Sequence, residues 1–469
     1  MSVGHFGGHK SVGRIKNIAI ILRPVQEESK RMPNQTSEGS VSNPHDTSII
    51  EQMVERANML KAYEKVYSNK GAPGIDNMTV EELMPYLRKY WETIKTQLLN
   101  GTYKPKPVKQ VSIPKPNGGE RLLGIPTVVD RMIQQALHQI LNPYFDPRFS
   151  ENSYGFRAGK SAQQAILQAK KYQSEGKCWV VDMDISKFFD EVNHDRLIMR
   201  IKQKVNDKGL LRLIRKYLKT GIMIDGVMTV REQGTPQGSP ISPLLSNIVL
   251  DELDKELERR KHSFCRYADD CNIYVRSRKA AERIMESITN FVENKLRLRI
   301  NKDKSATDLA SKRTFLGYSF TGEQPPRIRV PEKTVKRFKT KVKQIFRKGR
   351  GRNVAMLIKE KLNPSIRGWI NYFKLTETKR FAEDLDGWIR RKLRNMIWRQ
   401  WKRPKTRYRN MMKLGLTEQR AKQSAFNGRG AWWNCGQSHM NVCLKKKYFD
   451  DIGLISMFNY LSAKRNDRI

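Results

Sequence analysis

Two adjacent aspartates interrupt a short run of aromatic and β-branched residues, and this arrangement restricts the local fold more than any other feature of the chain. The run covers residues 264–275, with Asp269 and Asp270 near its centre. Because aromatic and β-branched residues favour strands, the run predicts a β-hairpin with both acids at or near its turn. Adjacent carboxylates repel each other, so a nearby cation would relieve the cost. An ordinary acidic turn is the alternative for this segment taken alone.

A second segment carries two more aspartates. Residues 179–186 form an apolar, strand-like run that contains Asp182 and Asp184. Side chains two positions apart on a strand point to the same face of the sheet. Hard oxygen ligands select Mg²⁺, and a pair of such ions can activate a hydroxyl nucleophile and stabilise a leaving pyrophosphate. The two segments together predict a site for two Mg²⁺ ions, with Mn²⁺ able to substitute.

The charge of the chain indicates a polyanionic partner. Ninety lysines and arginines stand against 47 aspartates and glutamates among 469 residues, a formal net charge of +43. A charge this far from zero repels itself unless a polyanion neutralises it, and nucleic acid is the commonest polyanion. Hydrophobic residues make up 38% of the chain, which is enough for a sizeable core and excludes wholesale disorder.

The cysteines and the apolar runs bear on the cellular compartment. The five cysteines are scattered and include no CxxC pair, so they signal neither a disulfide framework nor a zinc ribbon. The apolar runs are too short to span a bilayer. We therefore expect a reducing cytoplasm and no membrane partner.

Composition changes along the chain and predicts domain boundaries. Residues 1–46 are rich in Gly, Ser, Asn and Pro, which predicts a disordered leader. A helix is predicted from Ile49 to a turn-forming segment at 69–74, with an apolar face made of Met53, Ala57, Leu60, Tyr63 and Val66. Residues 331–469 carry 36 basic and 10 acidic residues and six of the eight tryptophans, which indicates a domain break near residue 325.

Two helices of this basic region are predicted to be amphipathic. Apolar residues recur at helical spacing over 335–345 and again over 385–397, and basic residues fill the other positions. Successive helices with the same bias favour a nucleic-acid track over a merely solvated surface. The candidate nucleic-acid contacts in the second helix are Arg390, Arg391 and Arg394.

The aspartate segments resemble two motifs of the reverse transcriptases. The sequence Tyr267-Ala268-Asp269-Asp270 is similar to their YxDD box, in the YADD form common among bacterial group II intron-encoded proteins. The earlier strand resembles motif A, in which a metal-binding aspartate precedes an aromatic steric gate by five residues, here Asp184 and Phe189. Residues 234–248 resemble the PQGSP block and the helix after it. The resemblance is dense and ordered from about residue 71 to residue 320.

The resemblance implies roles for individual residues. The resemblance implies that the catalytic residues are Asp184, Asp269 and Asp270. It implies that the metal ligands are Asp184, Ile185, Asp269 and Asp270. Residues 113–126 predict a hairpin with a Gly-Gly turn, which is similar to the fingertip hairpin of the family. There Lys115 and Arg121 would grip the incoming triphosphate, because a point charge and a planar fork both suit phosphate.

Further candidate residues follow from the same resemblance. Gln237 of the PQGSP block and the gate Phe189 would complete the nucleotide site, and the gate would favour deoxynucleotides by leaving no room for a 2′-hydroxyl. Arg157 is a candidate for a contact with template or phosphate, and a structural role is the alternative. Lys304 is a candidate proton donor near the pyrophosphate, and an ordinary surface lysine is the alternative.

The fold class implied by the resemblance is α+β. A right-hand polymerase, with fingers and a palm built on an antiparallel sheet, would occupy residues 47–325. A helical thumb, called the X or maturase domain, would follow over 326–398, and a small basic DNA-binding, D-like domain over 399–469. Some members carry an HNH endonuclease, which needs two CxxC pairs, and this chain has none. We therefore interpret Cys435, His439 and Cys443 as packing residues. The layout is similar to the class C type that lacks the endonuclease.

The predicted function is that of an RNA-directed DNA polymerase encoded by a group II intron. It would copy RNA into DNA during retrohoming and bind intron RNA to assist splicing, in the bacterial cytoplasm and at the nucleoid when bound to DNA. The expected partners are intron RNA, an RNA template with a DNA primer, target DNA and deoxynucleoside triphosphates.

Three other functions are alternatives to this one. A defence-associated or free-standing reverse transcriptase without a cognate intron shares the palm, but the thumb and D-like tail count against it. A non-catalytic RNA-folding factor is disfavoured by the intact set of aspartates. A two-metal nuclease would not need the YADD hairpin.

Overall fold

A computed structural model describes residues 48–114, 120–186, 188–224, 227–229 and 238–466. The predicted leader, Lys115 and Gln237 lie outside the described residues, and for Arg121 and Phe189 only the backbone is described. The chain divides into two compact units. Unit 1 contains the described residues of 48–161, 182–273 and 283–306, and unit 2 those of 162–181, 274–282 and 307–466. The four-part division expected from composition and resemblance stays a prediction.

Helices dominate the described chain. Their bounds are Ile49–Val54, Arg56–Asn69, Leu83–Leu99, Val128–Phe145, Ala162–Ser174, Phe188–Glu191, His194–Lys202, Lys208–Leu218, Ser242–Arg259, Arg278–Asn290, Glu332–Lys348, Val354–Leu357, Asn363–Tyr372, Arg380–Gln400, Pro404–Lys413, Glu418–Ala425, Ala431–Asn434, Ser438–Cys443, Lys446–Asp451 and Met457–Asn466. Two π-helical segments and one 3₁₀ turn are Phe291–Leu296, Ile358–Leu362 and Asp146–Arg148. No described helix is both long and apolar enough to cross a membrane.

The described strands are β1 (Val108–Pro114), β2 (Glu120–Ile125), β3 (Trp179–Ser186), β4 (Ile222–Ile224), β5 (Val227–Thr229), β6 (Ser263–Tyr267), β7 (Asp270–Val275), β8 (Arg299–Ile300), β9 (Ala306–Leu309), β10 (Ser319–Phe320) and β11 (Ile328–Arg329). One sheet has the order β2-β1-β4-β5, and β10 pairs with β11. A five-stranded sheet has the order β6-β7-β3-β8, with β9 also paired to β3. The mixture of helices and sheets agrees with the predicted α+β class.

The five-stranded sheet carries both aspartate segments. Its β6 and β7 form the hairpin predicted from residues 264–275, and β7 lies beside β3. Along β3 the buried side chains alternate with Asp182 and Asp184, which are partly exposed. This alternation follows from the two-residue period of a strand, which puts both acids on one face. The strand and the hairpin predicted from sequence are both confirmed.

The two paired strands of the hairpin predicted over 113–126 are also confirmed, whereas its predicted Gly-Gly turn lies outside the described residues. Strands β1 and β2 are antiparallel, with Ile113 opposite Arg121 and Pro114 opposite Glu120. Strand β1 pairs in parallel with β4 on its other edge.

The helix predicted from Ile49 is two helices. It breaks at Glu55, where ψ is 142°, an extended value. The break resets the helical phase, so Met59 is buried whereas Ala57, predicted on the apolar face, is exposed. The predicted end of the helix at Asn69 is confirmed.

The helices of unit 2 share one apolar core. The predicted seams of the two basic helices are confirmed, because the core contains Phe338, Val342, Leu385, Ile389, Leu393 and Ile397. The same core continues to the end of the chain through Met411, Phe449 and Leu461. Cys435, Cys443 and His439 are buried in this unit, as expected of packing residues.

A buried carboxylate fastens the last helix to this core. Asp386 accepts hydrogen bonds from Ser456 Oγ (2.7 Å) and from the backbone N–H groups of Met457 (3.0 Å) and Phe458 (3.1 Å). These N–H groups begin the Met457–Asn466 helix, where unpaired donors and the helix dipole both favour a negative charge.

We expect Asp386→Ala to lower the free energy of unfolding by about 1–3 kcal/mol, because it leaves buried donors without an acceptor. Asp384→Ala changes an exposed acid of the same helix and should stay within about 0.5 kcal/mol of the wild type. Urea unfolding, with hydrogen exchange of residues 456–466, measures both effects. Equal losses in the two variants would contradict the role given to Asp386.

Candidate active site

Asp269 lies in the turn of the β6–β7 hairpin, and Asp270 begins β7. Ala268, the residue before them, has a φ of 57°. This left-handed conformation costs a residue with a Cβ atom about 1–2 kcal/mol. Such a conformation persists only where the surrounding structure holds it in place.

Arg266 holds this turn. Its side chain is fully buried, and its guanidinium donates to both carboxylate oxygens of Asp254, from Nε at 2.7 Å and from Nη2 at 2.5 Å. Nη1 donates to the carbonyl oxygen of Ala268 (3.0 Å) and to Asn247 Oδ1 (3.1 Å), and Nη2 donates to Ser153 Oγ (2.7 Å). All five N–H donors of the guanidinium are therefore used, and one of them fixes the strained turn.

The chain segment around Gly155 packs directly against the same turn. A Cβ atom at Gly155 would lie 2.3 Å from the backbone nitrogen of Ala268, so only glycine permits this approach. Asn247 Nδ2 donates to the carbonyl of Gly155 (2.9 Å). The Ser242–Arg259 helix, which carries Asn247 and Asp254, thus ties this segment and the hairpin together.

Sequence reasoning missed Arg266 and Asp254. The signal that could have found them is the position of Arg266 inside an otherwise apolar strand, where a charge needs a partner.

Arg157, a candidate nucleic-acid contact from the sequence, is buried in the structure. Its guanidinium donates to the carboxylate of Asp146 (2.9 Å) and to the carbonyls of Asp146 (2.8 Å), Ser150 (2.6 Å) and Ser153 (3.1 Å). Only 9% of the residue is exposed. We therefore correct the assignment of Arg157 to a structural role, because its donors are used inside the protein.

Asp184 is held by the residues that follow β8. Asn301 Nδ2 (2.9 Å) and Lys304 Nζ (2.8 Å) both donate to Asp184 Oδ2, and the Asp184 N–H donates to Ser305 Oγ (3.0 Å). The side chain of Asp184 is 20% exposed, whereas that of Lys304 is 66% exposed. Lys304, predicted near a pyrophosphate, therefore forms an ion pair with the carboxylate predicted to bind metal.

The carboxylates of β3 and the hairpin interact through their charges. Desolvation and the negative charges of Asp269, Asp184 and Asp182 raise the pKa of Asp270 to about 7, while Lys304 acts in the opposite direction. Asp270 is exposed at the start of β7. Its contact with water limits the effect of desolvation on its pKa, so the neighbouring carboxylates account for more of the rise. The acids of the two segments are thus within electrostatic reach of one another.

The oxygen donors of this cluster fit a hard divalent cation in kind. In the described chain, however, no group of three Asp, Glu, His or Cys side chains is arranged to hold a metal ion. Asn301 and Lys304 donate to Asp184 Oδ2, so a metal ion that binds through this oxygen would displace the ammonium group of Lys304. The metal-ligand and catalytic roles of Asp184, Ile185, Asp269 and Asp270 stay predictions.

The predicted nucleotide-binding residues are described only in part. The backbone of Arg121 lies in β2, and that of Phe189 lies in the short helix directly after β3. Their side chains, together with Lys115 and Gln237, lie outside what the structure describes. Their roles stay predictions.

The three arginines predicted as nucleic-acid contacts in unit 2 differ from one another. Arg394 is 8% exposed, and its Nε (3.0 Å) and Nη2 (2.9 Å) both donate to the carbonyl of Leu444. We correct Arg394 to a structural role for the same reason as Arg157. Arg391 lies over the ring of Trp432 at 4.3 Å, and Arg390 is half-buried.

Comparison with known proteins identifies the family. Residues 113–320 match the family described as reverse transcriptase (RNA-dependent DNA polymerase), and residues 335–415 match the group II intron maturase-specific domain. Protein YkfC of Escherichia coli (strain K12) is 34% identical over 279 residues, which is 51% of this chain and 73% of that protein. The chain belongs to the reverse transcriptases that carry a group II intron maturase domain.

Other relatives are intron-encoded proteins. Group II intron-encoded protein LtrA of Lactococcus lactis subsp. cremoris is 30% identical over 344 residues, which is 59% of this chain and 57% of LtrA. The putative COX1/OXI3 intron 2 protein of Saccharomyces cerevisiae is 29% identical, and the match spans 62% of this chain and 40% of that protein. The chain thus spans little more than half of LtrA.

Among solved structures, a chain of a partial Cas6-RT-Cas1–Cas2 complex has a TM-score of 0.36 at 26% identity. The match covers 53% of this chain and 43% of that chain.

We expect Arg266→Met to cost about 3–5 kcal/mol of unfolding free energy, because Asp254 would stay buried without its partner. Arg266→Met combined with Asp254→Leu removes both charges and should recover most of that stability. Although its stability recovers, the double variant should extend a primer more slowly than the wild type, because the carbonyl of Ala268 has lost its donor. Urea unfolding and single-nucleotide extension separate the two effects, and wild-type extension by the double variant would refute this account of the turn.

Magnesium should stabilise the protein, because a cation relieves the repulsion among the carboxylates. At several times its Kd, Mg²⁺ should add about 1 kcal/mol and raise Tm by about 2–4 °C. Asp270→Asn should raise Tm in the absence of metal and reduce the response to Mg²⁺. Asp195→Asn, at a side chain 83% exposed, is the matched control and should respond like the wild type. An unchanged Mg²⁺ response in Asp270→Asn would remove Asp270 from the metal site.

Proposed function

We propose that this protein is the RNA-directed DNA polymerase of a group II intron, which copies RNA into DNA during retrohoming and binds its intron RNA to assist splicing. The observation that carries the proposal is the position of Asp184 beside the YADD hairpin in one sheet. The family matches on either side of residue 325 support the polymerase and maturase parts of the proposal respectively. The maturase match also favours an intron-encoded enzyme over a free-standing or defence-associated one.

Each residue of the candidate site has a distinct part in this proposal. Arg266 fixes the turn, so Asp269 and Asp270 are presented in one orientation. Two Mg²⁺ ions, or Mn²⁺ in their place, would be held by Asp184, Asp269 and Asp270 with Ile185, and would supply activation of the primer hydroxyl and neutralisation of the leaving pyrophosphate. Lys304 brings a positive charge next to Asp184 and so offers the same charge to an incoming triphosphate.

The nucleotide would be bound by residues from two further segments. Lys115 and Arg121, of which Arg121 has its backbone in β2, would contact the triphosphate. Gln237 would line the site, and Phe189 would exclude a 2′-hydroxyl. Phe189 lies five residues after Asp184, in the short helix that follows β3, and this position supports the role.

The proposed partners are the intron RNA, an RNA template with its DNA primer, target DNA and deoxynucleoside triphosphates. The excess of positive charge supports polyanionic partners. We propose the bacterial cytoplasm as the location of the protein, and the nucleoid when it is bound to DNA.

Primer extension on an RNA template with a DNA primer, Mg²⁺ and deoxynucleotides tests the proposal. We expect extension by the wild type and a loss of about a hundredfold or more in Asp269→Asn, since metal-assisted charge stabilisation is worth several kcal/mol. Asp195→Asn should extend normally. RNA binding by Asp269→Asn should match the wild type, which separates a lost reaction from a lost fold. A wild-type protein that binds RNA but extends no primer would overturn the proposal.

A further inference from the structure

A pocket of about 550 Å³ lies in unit 2 and is lined by residues of the Glu332–Lys348 and Arg380–Gln400 helices and by Trp432. Six of its twelve lining residues are lysine or arginine, and none is aspartate or glutamate. The volume lies in the range of pockets that hold small organic ligands. The charge of the lining selects an anionic ligand.

Part of the lining of this pocket is apolar, although half of its residues are cationic. Phe346, Met396 and Trp432 line it. Met396 is 8% exposed, whereas Trp432 is 41% exposed. Apolar and aromatic contacts of this kind suit the flat face of a nucleobase.

One polar atom of the lining has no partner. Asn395 Nδ2 is buried, and among the described residues nothing accepts a hydrogen bond from it. An unpaired buried donor costs free energy, and a ligand that brings an acceptor would remove that cost. Every nucleobase offers a nitrogen or oxygen acceptor at its edge.

Two cations at this pocket, Lys392 of its lining and the neighbouring Arg391, are held in place, and among the described residues no acid forms an ion pair with either. Arg391 and Lys392 lie over the ring of Trp432, at 4.3 Å and 4.4 Å. Desolvation and then the positive charge of Lys343 lower the pKa of Lys392. A lysine whose neighbours are cations gains more from a phosphate than an isolated surface lysine does.

We propose that this pocket binds one unpaired nucleotide of an RNA, with the base against Phe346, Met396 and Trp432. Asn395 Nδ2 donates to the edge of the base, and Arg347 and Lys402 contact the adjoining phosphates. The bases of a duplex are stacked and cannot enter, whereas a bulged or loop nucleotide can be splayed out into such a pocket. The inference rests on the RNA-binding part of the proposed function.

Two RNA hairpins that differ only by one inserted nucleotide, so that one is fully paired and the other has a single-nucleotide bulge, test this inference. Their binding to the full chain is measured by fluorescence anisotropy at one fixed salt concentration, because affinity for RNA depends strongly on salt. The wild type should bind the bulged hairpin about tenfold more tightly, given the usual value of stacking one base.

The variants Trp432→Ala and Asn395→Leu should lose this preference and bind the paired hairpin within about twofold of the wild type. Trp433→Ala is the matched control, since Trp433 is 43% exposed and does not line the pocket. It should keep the preference. A wild type without a preference, or a preference that survives in both pocket variants, would overturn the inference and leave the cations as a track for the RNA backbone.

Primer extension on poly(rA) with an oligo(dT) primer, run with the same proteins, separates this inference from the proposed function. If the wild type extends the primer but shows no preference for the bulge, the pocket inference fails and the polymerase proposal stands. If the preference is present and specific to the pocket but no primer is extended, the polymerase proposal fails and the pocket inference stands.

Discussion

The geometry of the candidate site depends on the buried ion pair between Arg266 and Asp254. Taking two charges out of water is costly, and only a complete set of hydrogen bonds offsets that cost. Arg266 meets this condition with all five donors, and one of them goes to the carbonyl of Ala268, the strained residue of the turn. The placement of Asp269 and Asp270 is therefore determined by two residues outside the YADD motif, Arg266 of β6 and Asp254 of the Ser242–Arg259 helix.

The candidate site concentrates negative charge in a chain whose net charge is +43. Asp184, Asp269 and Asp270 repel one another, and the raised pKa of Asp270 reflects that repulsion together with desolvation. Lys304 neutralises part of the charge through Asp184. Because the lysine side chain is mostly exposed, its ion pair is of the weak kind that a competing cation can replace at small cost. The structure thus suits a site that exchanges one cation for another.

The sequence predicted those parts of the fold that depend on local pattern. Both aspartate segments, the paired strands β1 and β2 and the apolar seams of the basic helices follow from the periods of strands and helices. Periodicity does not reveal which charged side chains are buried, so it predicts neither the burial of Arg157 and Arg394 nor the importance of Arg266 and Asp254. The break at Glu55 has no proline or glycine to announce it. Such features arise from contacts between residues distant in the chain.

The most direct measurement is a crystal structure of the full chain with an RNA template, a DNA primer, a non-reactive deoxynucleotide analogue and Mn²⁺, with the metal located by anomalous diffraction. The account predicts manganese bound by Asp184 together with Asp269 and Asp270, and the ammonium of Lys304 withdrawn from Asp184. Manganese bound elsewhere, with the pairing of Lys304 and Asp184 unchanged, would contradict it.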